Sequence, residues 1–144
     1  MTVFPDGSKE RLHGHNYTLS LSLKLKDISF KEMVDFSPLK KAMAALCLEW
    51  KERTFIATKN PFYEEIQKSE EELEFRLCGK RYVLPLEDVL LLPIDNSAVE
   101  PLAEVALKWL VRNLKTLLDS SPITEMTVTV EENPGQGASA TKIF

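Results

Sequence analysis

Two histidines form the part of this sequence that is best suited to metal chemistry. His13 and His15 are the only histidines in 144 residues, and Gly14 separates them. Residues 17–26 alternate between apolar and polar side chains, which predicts a half-buried β-strand. If that strand includes the histidines, both imidazoles lie on its apolar face, where Gly14 leaves room for a ligand. Imidazole is a good zinc ligand, so the pair is a candidate zinc site; a partly exposed, metal-free pair is the alternative.

Glu132 is a second candidate, at the end of the last long predicted strand. If the alternation holds, this carboxylate lies on the same face of the strand as the apolar side chains of Met126, Val128 and Val130. A carboxylate on a buried face needs a partner. The alternative is a glutamate exposed at the glycine-rich turn that follows.

Two helices are predicted from apolar residues with helical spacing. The first begins with Ser37 as the N-cap and Pro38 in the first helical position. The second begins with a capping box, in which Ser97 is the N-cap and Glu100 follows three residues later. It ends at the Ser-Ser-Pro sequence of residues 120–122.

The remaining periodic segments predict β-structure. A glycine turn joins two of them into a hairpin. The predicted strands cover residues 17–26, 63–68, 73–77, 81–84, 123–132 and 138–144. We therefore expect one α+β domain, residues 1–144, in which two helices cover one face of an antiparallel sheet.

Composition excludes several classes of function. The net charge is −4 and the charges are interspersed, so there is no basic patch for a nucleic acid. No apolar run approaches the roughly 20 residues of a membrane span, and no signal peptide is visible. Cys47 and Cys78 occur singly, as is typical of reduced thiols in a cytoplasmic protein.

Four motifs together resemble the 6-pyruvoyltetrahydropterin synthase / 6-carboxytetrahydropterin synthase family. They occur in the family's order and span most of the chain: His-Gly-His-Asn-Tyr at 13–17, Met-Val-Asp-Phe-Ser-Pro-Leu-Lys at 33–40, Asn-Ser-Ala-Val-Glu-Pro-Leu-Ala at 96–103, and Val-Thr-Val-Glu-Glu-Asn-Pro at 128–134. The resemblance implies the tunnelling fold, a zinc cofactor and a small pterin substrate. It also implies a homo-oligomer, commonly a hexamer of two trimers, with active sites between subunits.

The resemblance assigns roles to individual residues. His13 and His15 would hold the zinc, Glu132 would accept the 2-amino and ring N–H groups of the pterin, and Glu100 would contact the pterin. Glu10 lies three residues before His13 and resembles a variant branch, in which a glutamate replaces the catalytic cysteine. That branch cleaves the dihydroneopterin side chain to 6-hydroxymethyl-dihydropterin. A carboxylate there can take a proton from a side-chain hydroxyl, although Glu10 also fits a charged turn.

Other positions depart from the family pattern. The family's third zinc histidine lies on a preceding strand, and we expect that strand to be truncated here. Lys51 and Glu52 stand where the family has an Asp-His pair, and Ala98 replaces a threonine. We expect a zinc-dependent lyase acting on 7,8-dihydroneopterin triphosphate or a related dihydropterin. The alternative is a non-catalytic relative that binds a pterin or purine through Glu132 and has lost the complete zinc site. A domain without any ligand is a third class.

Overall fold

The computed structural model describes all residues of the chain, 1–144. Its largest sheet is antiparallel, and β7 (Ile123–Asn133) lies between β1 (Thr18–Leu25) and β8 (Gln136–Ile143). Exposed and less exposed residues alternate along β1, as the sequence pattern predicts. The long strands are confirmed, and the last one begins two residues earlier than predicted. The fold class is α+β, as expected.

Three helices pack against this sheet: α1 (Ser37–Trp50), α2 (Val99–Asn113) and the short α3 (Lys115–Ser120). Fifteen buried apolar residues from the helices, β6, β7 and nearby loops form the main core. Leu110 of α2 and Met126 of β7 are fully buried in it. None of the helices combines the length and apolar composition that crossing a bilayer requires.

The predicted helix starts need correction. Ser37 is the first residue of α1 rather than its N-cap, and its N–H donates to Asp35 Oδ1 at 2.8 Å. The capping box at α2 is wrong, because the N-cap is Ala98. Ser97 is buried, and its hydroxyl donates to the Phe55 carbonyl at 3.3 Å instead. A tertiary hydrogen bond has therefore replaced the local cap.

The end of the second helix also differs from the prediction. The continuous helix expected up to residue 120 is interrupted at Leu114, whose φ is −105° and ψ is 11°. The Leu114 N–H still donates to the Leu110 carbonyl, so the chain turns without losing that hydrogen bond. Leu114 and Leu118 stay buried across the break, so α3 continues the apolar face of α2.

Two smaller sheets lie between α1 and α2 in the chain. The predicted hairpin and third strand form an antiparallel meander of β3 (Tyr63–Lys68), β4 (Glu72–Leu77) and β5 (Lys80–Pro85). A parallel pair, β2 (Thr54–Ala57) with β6 (Val89–Leu92), was not predicted. A second core links these elements, and it contains Val3, Ile56, Leu73, Phe75, Leu77 and Val89.

The first ten residues form a small hairpin. A turn at residues 5–7 brings Val3 opposite Lys9 in an isolated antiparallel bridge. The Glu10 N–H donates to the Thr2 carbonyl at 3.0 Å and extends the pairing by one residue. Val3 packs in the second core, so the hairpin is anchored to the rest of the domain.

Core packing predicts a contrast between two leucines. Leu110 is fully buried, whereas Leu48 of α1 is 74% exposed. Leu110→Ala is expected to lower the free energy of unfolding by about 2–5 kcal/mol, because it removes buried methyl groups and leaves a cavity. Leu48→Ala is expected to change it by less than about 0.5 kcal/mol. Urea unfolding at a fixed protein concentration measures both, and equal effects would contradict this assignment of the core.

Candidate active site

The two histidines lie side by side in the loop that leads into β1. The strand begins at Thr18, so it does not include them. Even so, the His13 Nε2 and His15 Nε2 atoms lie 2.6 Å apart, and the ring centroids are separated by 4.5 Å. The space beside Gly14 is open, since a Cβ atom added there would have no neighbour within 4 Å. The predicted pair is therefore formed, with open space beside it.

Hydrogen-bond chemistry determines which nitrogens of the pair are free. His13 Nδ1 lies 2.6 Å from the Arg11 carbonyl, which can only accept, so Nδ1 carries a hydrogen and, in the neutral ring, Nε2 keeps a lone pair. His15 Nδ1 lies 3.4 Å from Glu132 Oε1, which favours the same tautomer. With both rings in this neutral form, the two Nε2 lone pairs face each other across the 2.6 Å gap. A zinc ion bound by both nitrogens at about 2.0–2.1 Å in tetrahedral geometry needs them roughly 3.3 Å apart, so the rings would have to separate slightly to admit it.

The carboxylate of Glu10 lies near the Nε2 atom of His13. Its Oε2 atom is 4.0 Å from His13 Nε2 and accepts the Thr2 N–H at 3.2 Å. That hydrogen bond is the main reason that the pKa of the Glu10 carboxyl group is lowered, and the nearby His13 adds to the lowering. Glu10 is therefore held as a carboxylate that points toward the histidine pair.

Glu132 reaches the site from the end of β7. The pairing with β8 is irregular between Glu131 and Asn133, so Glu132 lies at a bulge. Its side chain is 30% exposed and contacts His15 of the same chain. Within one chain the structure thus brings Glu132 to the histidines.

Glu100 does not join this cluster in the described chain. It lies in the first turn of α2, is exposed, and forms no side-chain hydrogen bond or ion pair. Lys51 and Glu52, which follow α1, pair with each other at 3.3 Å, and the Glu52 side chain is 81% exposed.

An aromatic wall that the sequence did not reveal completes the site. Tyr17 lies next to His15 and stacks on Phe55 with a centroid distance of 5.9 Å, and Phe55 meets Trp50 edge to face at 5.3 Å. Burial raises the pKa of the Tyr17 hydroxyl, and the charges of Glu132 and Glu10 raise it further. Tyr17 was recognised only as a strand residue, and Phe55 carried no signal that would pair it with Tyr17.

These side chains line a cleft between the histidine loop and α1. Its volume is about 970 Å³, and its lining includes His13, His15, Tyr17, Trp50 and Phe55. A cleft of this size with an aromatic wall and a few polar groups is typical of a small-molecule site.

The same residues form only part of a metal site. The structure contains no group of three or more histidine, cysteine, aspartate or glutamate side chains placed to hold a metal. The two imidazoles nevertheless fit zinc in type and in tautomer, and each Nδ1 faces an oxygen, as is usual for ligating histidines. The chain therefore supplies two ligands of a suitable kind, and a complete zinc site needs others.

Comparisons with known proteins identify the family of the chain. The sequence model of the family described as "6-pyruvoyl tetrahydropterin synthase" matches residues 2–142. A protein of Methanocaldococcus jannaschii, named "Putative 6-carboxy-5,6,7,8-tetrahydropterin synthase", is 33% identical over 128 residues, which cover 88% of this chain and 77% of that protein.

Solved structures show the same fold. The 6-pyruvoyl tetrahydropterin synthases of Plasmodium vivax and Plasmodium falciparum each superpose with a TM-score of 0.89 and 25% identity. In both cases the match covers 99% of this chain and 88% of the other. The sequence match over nearly the whole chain and the shared fold lead to one conclusion: the chain belongs to the 6-pyruvoyl tetrahydropterin synthase family.

Proposed function

We propose that this chain is a zinc-dependent pterin lyase that acts on 7,8-dihydroneopterin triphosphate or dihydroneopterin. One observation carries the proposal: two carboxylates flank one pair of facing imidazole nitrogens, with Glu10 4.0 Å from His13 and Glu132 3.4 Å from His15. The names of the relatives support a pterin as the substrate class.

His13 and His15 would hold the zinc ion through their Nε2 atoms. Zinc bound there would polarise the hydroxyl groups of the pterin side chain and lower their pKa. Zinc takes four ligands in most protein sites, so water, substrate or a further residue must complete the set. Arg11 and Glu132 would keep both imidazoles in the tautomer that binds metal.

Glu10 is the proposed proton-transfer residue. In side-chain cleavage it takes the proton of the C2′ hydroxyl, and the C1′–C2′ bond breaks. The electron pair of that bond passes to C1′ and the dihydropterin ring, and C2′ becomes the carbonyl carbon of the departing aldehyde. Glu10 then returns the proton to C1′, which gives 6-hydroxymethyl-dihydropterin. In two P. vivax structures, alanine or cysteine replaces a glutamate described as a catalytic residue, which supports a glutamate in this role.

Glu132 is the proposed anchor of the pterin ring. A carboxylate has the flat geometry that accepts two neighbouring N–H donors, such as the 2-amino and ring N–H groups of a pterin. Glu100 has no partner within the chain, and we propose that it contacts the substrate. Tyr17 and Phe55 would add an aromatic surface beside the ring.

The chain also has features of a homo-oligomer, and we propose a trimer or a hexamer of two trimers. β1 and β8 are the two edges of the main sheet, and unpaired edges favour association with other strands. Ile28 and Phe30 are 89% and 88% exposed after β1, and Ile143 of β8 is 73% exposed. Sedimentation analysis distinguishes these assemblies from a monomer.

The free thiols of Cys47 and Cys78 fit a cytoplasmic location, which fractionation of the source cells would test.

A second candidate function is pterin or purine binding without catalysis. The observation that favours it is that no third side chain joins His13 and His15 in a group placed to hold a metal. In that case Glu132 would still bind the ring, but neither zinc nor turnover would be found.

Glu10→Gln is expected to lower kcat about 100-fold or more, because an amide cannot take a proton from the substrate hydroxyl. KM and zinc content are expected to stay within about twofold of the wild type, since Glu10 is not proposed to bind either. Steady-state kinetics with dihydroneopterin, with the product followed by chromatography, measures the effect. The matched control is Glu104→Gln on α2, whose carboxylate pairs only with Lys108 at the surface. A Glu10→Gln protein with unchanged kcat would rule out this role.

Glu132→Gln is expected to weaken pterin binding about tenfold or more, because a charge-assisted two-point acceptor is lost. It is also expected to weaken zinc binding by about 10- to 100-fold, because the charge next to His15 Nδ1 is removed. Fluorescence titration with a dihydropterin and a metal-competition titration measure the two effects. Glu131→Gln is the control, because this side chain precedes Glu132 on β7 and points to the opposite face.

The two candidate functions give different results in these titrations. Pterin binding that depends on Glu132, without zinc and without turnover, would favour the non-catalytic candidate. Pterin affinity that Glu132→Gln leaves unchanged would contradict both candidates.

A further inference from the structure

Asn96 connects the start of α2 to the N-terminal hairpin. Its Oδ1 atom accepts the Val3 N–H at 3.0 Å, and its Nδ2 donates to the Val3 carbonyl at 3.1 Å. The same Oδ1 accepts the Ser97 N–H at 3.0 Å. One side chain thus satisfies both backbone groups of a residue that lies 93 positions away, as a neighbouring strand would.

The clamped residue is part of the structure that holds Glu10. Val3 pairs with Lys9 across the hairpin, and the Glu10 N–H donates to the Thr2 carbonyl at 3.0 Å. The Thr2 N–H in turn donates to Glu10 Oε2 at 3.2 Å. The carboxylate is therefore fixed by the backbone of the residue next to the one that Asn96 clamps.

This series of contacts ends at the histidine pair. Glu10 Oε2 lies 4.0 Å from His13 Nε2, and 40% of the Glu10 side chain is exposed. Apart from the Thr2 N–H, no hydrogen-bond donor of the chain reaches this carboxylate. Movement of the Thr2–Val3 segment would therefore move the Glu10 carboxylate relative to the histidines.

We propose that Asn96 is a positioning residue for Glu10, and that it fixes the distance between the carboxylate and the histidine pair. The inference rests on the proposed proton-transfer role of Glu10. All three hydrogen bonds of the Asn96 side chain go to backbone groups. The proposed function of Asn96 is therefore neither helix capping nor substrate contact.

The chain provides a matched control for a purely structural role. Asn60 is also a side chain that joins two backbone segments: Nδ2 donates to the Asp95 carbonyl at 2.6 Å, and Oδ1 accepts the Phe62 N–H at 2.9 Å. Asn60 forms no hydrogen bond with Val3, Thr2 or Glu10, and it reaches the hairpin only through Phe62, whose ring lies against Gly7. Its loss is expected to lower stability with little displacement of the carboxylate.

The test compares Asn96→Ala with Asn60→Ala in the full chain. Asn96→Ala is expected to lower kcat for dihydroneopterin about 10- to 100-fold with KM within about twofold, because a displaced catalytic group affects the reaction more than binding. Asn96→Asp keeps the two acceptor bonds and is expected to retain more activity. Asn60→Ala is expected to keep kcat within about twofold of the wild type. An unchanged kcat in Asn96→Ala, or an equal loss in Asn60→Ala, would overturn the proposal.

A second measurement does not depend on turnover. Amide hydrogen exchange of Glu10 is expected to become about tenfold faster in Asn96→Ala and to stay within about twofold in Asn60→Ala, because only the first removes hydrogen bonds to the Thr2–Val3 segment. If the wild type does not convert dihydropterins, the proposed function fails, and the exchange rates still decide whether Asn96 holds Glu10. Equal exchange at Glu10 in the wild type and in Asn96→Ala would overturn the positioning role by itself.

Discussion

The site depends on two imidazole Nε2 atoms that lie 2.6 Å apart. Metal binding through both atoms requires that the opposite ring nitrogens carry the hydrogens, and two separate parts of the chain favour this tautomer. The Arg11 carbonyl fixes His13 locally, whereas Glu132 reaches His15 from β7. The second contact depends on strand register, because Thr18 of β1 pairs with Glu131. A slip of one residue would turn Glu132 to the other face of the sheet.

The site lies where the two cores meet. Tyr17 and Phe55 pack against the main core beneath the cleft, whereas Val3 and the hairpin that carries Glu10 pack in the second core. The histidines and Glu10 are thus positioned from opposite sides. Asn96 joins these sides at the start of α2, so a change in either core can be transmitted to the distance between the carboxylate and the imidazoles.

Hydrophobic periodicity and residue spacing predicted the strands and contacts that depend on local backbone geometry. Alternation predicted β1, β7 and the meander, and the His-Gly-His spacing predicted that His13 and His15 would meet. Local patterns failed where a side chain serves a distant segment. Ser97 has capping-box spacing, but its hydroxyl bonds the Phe55 carbonyl, 42 positions away. The parallel pairing of β2 with β6 and the clamp by Asn96 are equally non-local, and periodicity carries no information about which segments meet.

Family resemblance predicted some of the site residues that local patterns could not, but not all of them. It placed Glu132 and Glu10 in one site with the histidines, and within one chain the structure brings all four together. Glu100 remains a proposal, because its partner must come from the substrate or from another subunit. The further ligands that zinc requires lie outside this pair, since no third side chain is placed with His13 and His15 to hold a metal.

The most direct test of the account is zinc-edge anomalous scattering from crystals of the zinc-supplemented protein. We predict one zinc ion per subunit, bound by Nε2 of both His13 and His15 at about 2.0–2.1 Å. Glu132 is expected to stay next to the other ring nitrogen of His15. A protein without zinc, or with zinc bound away from these two residues, would contradict the account.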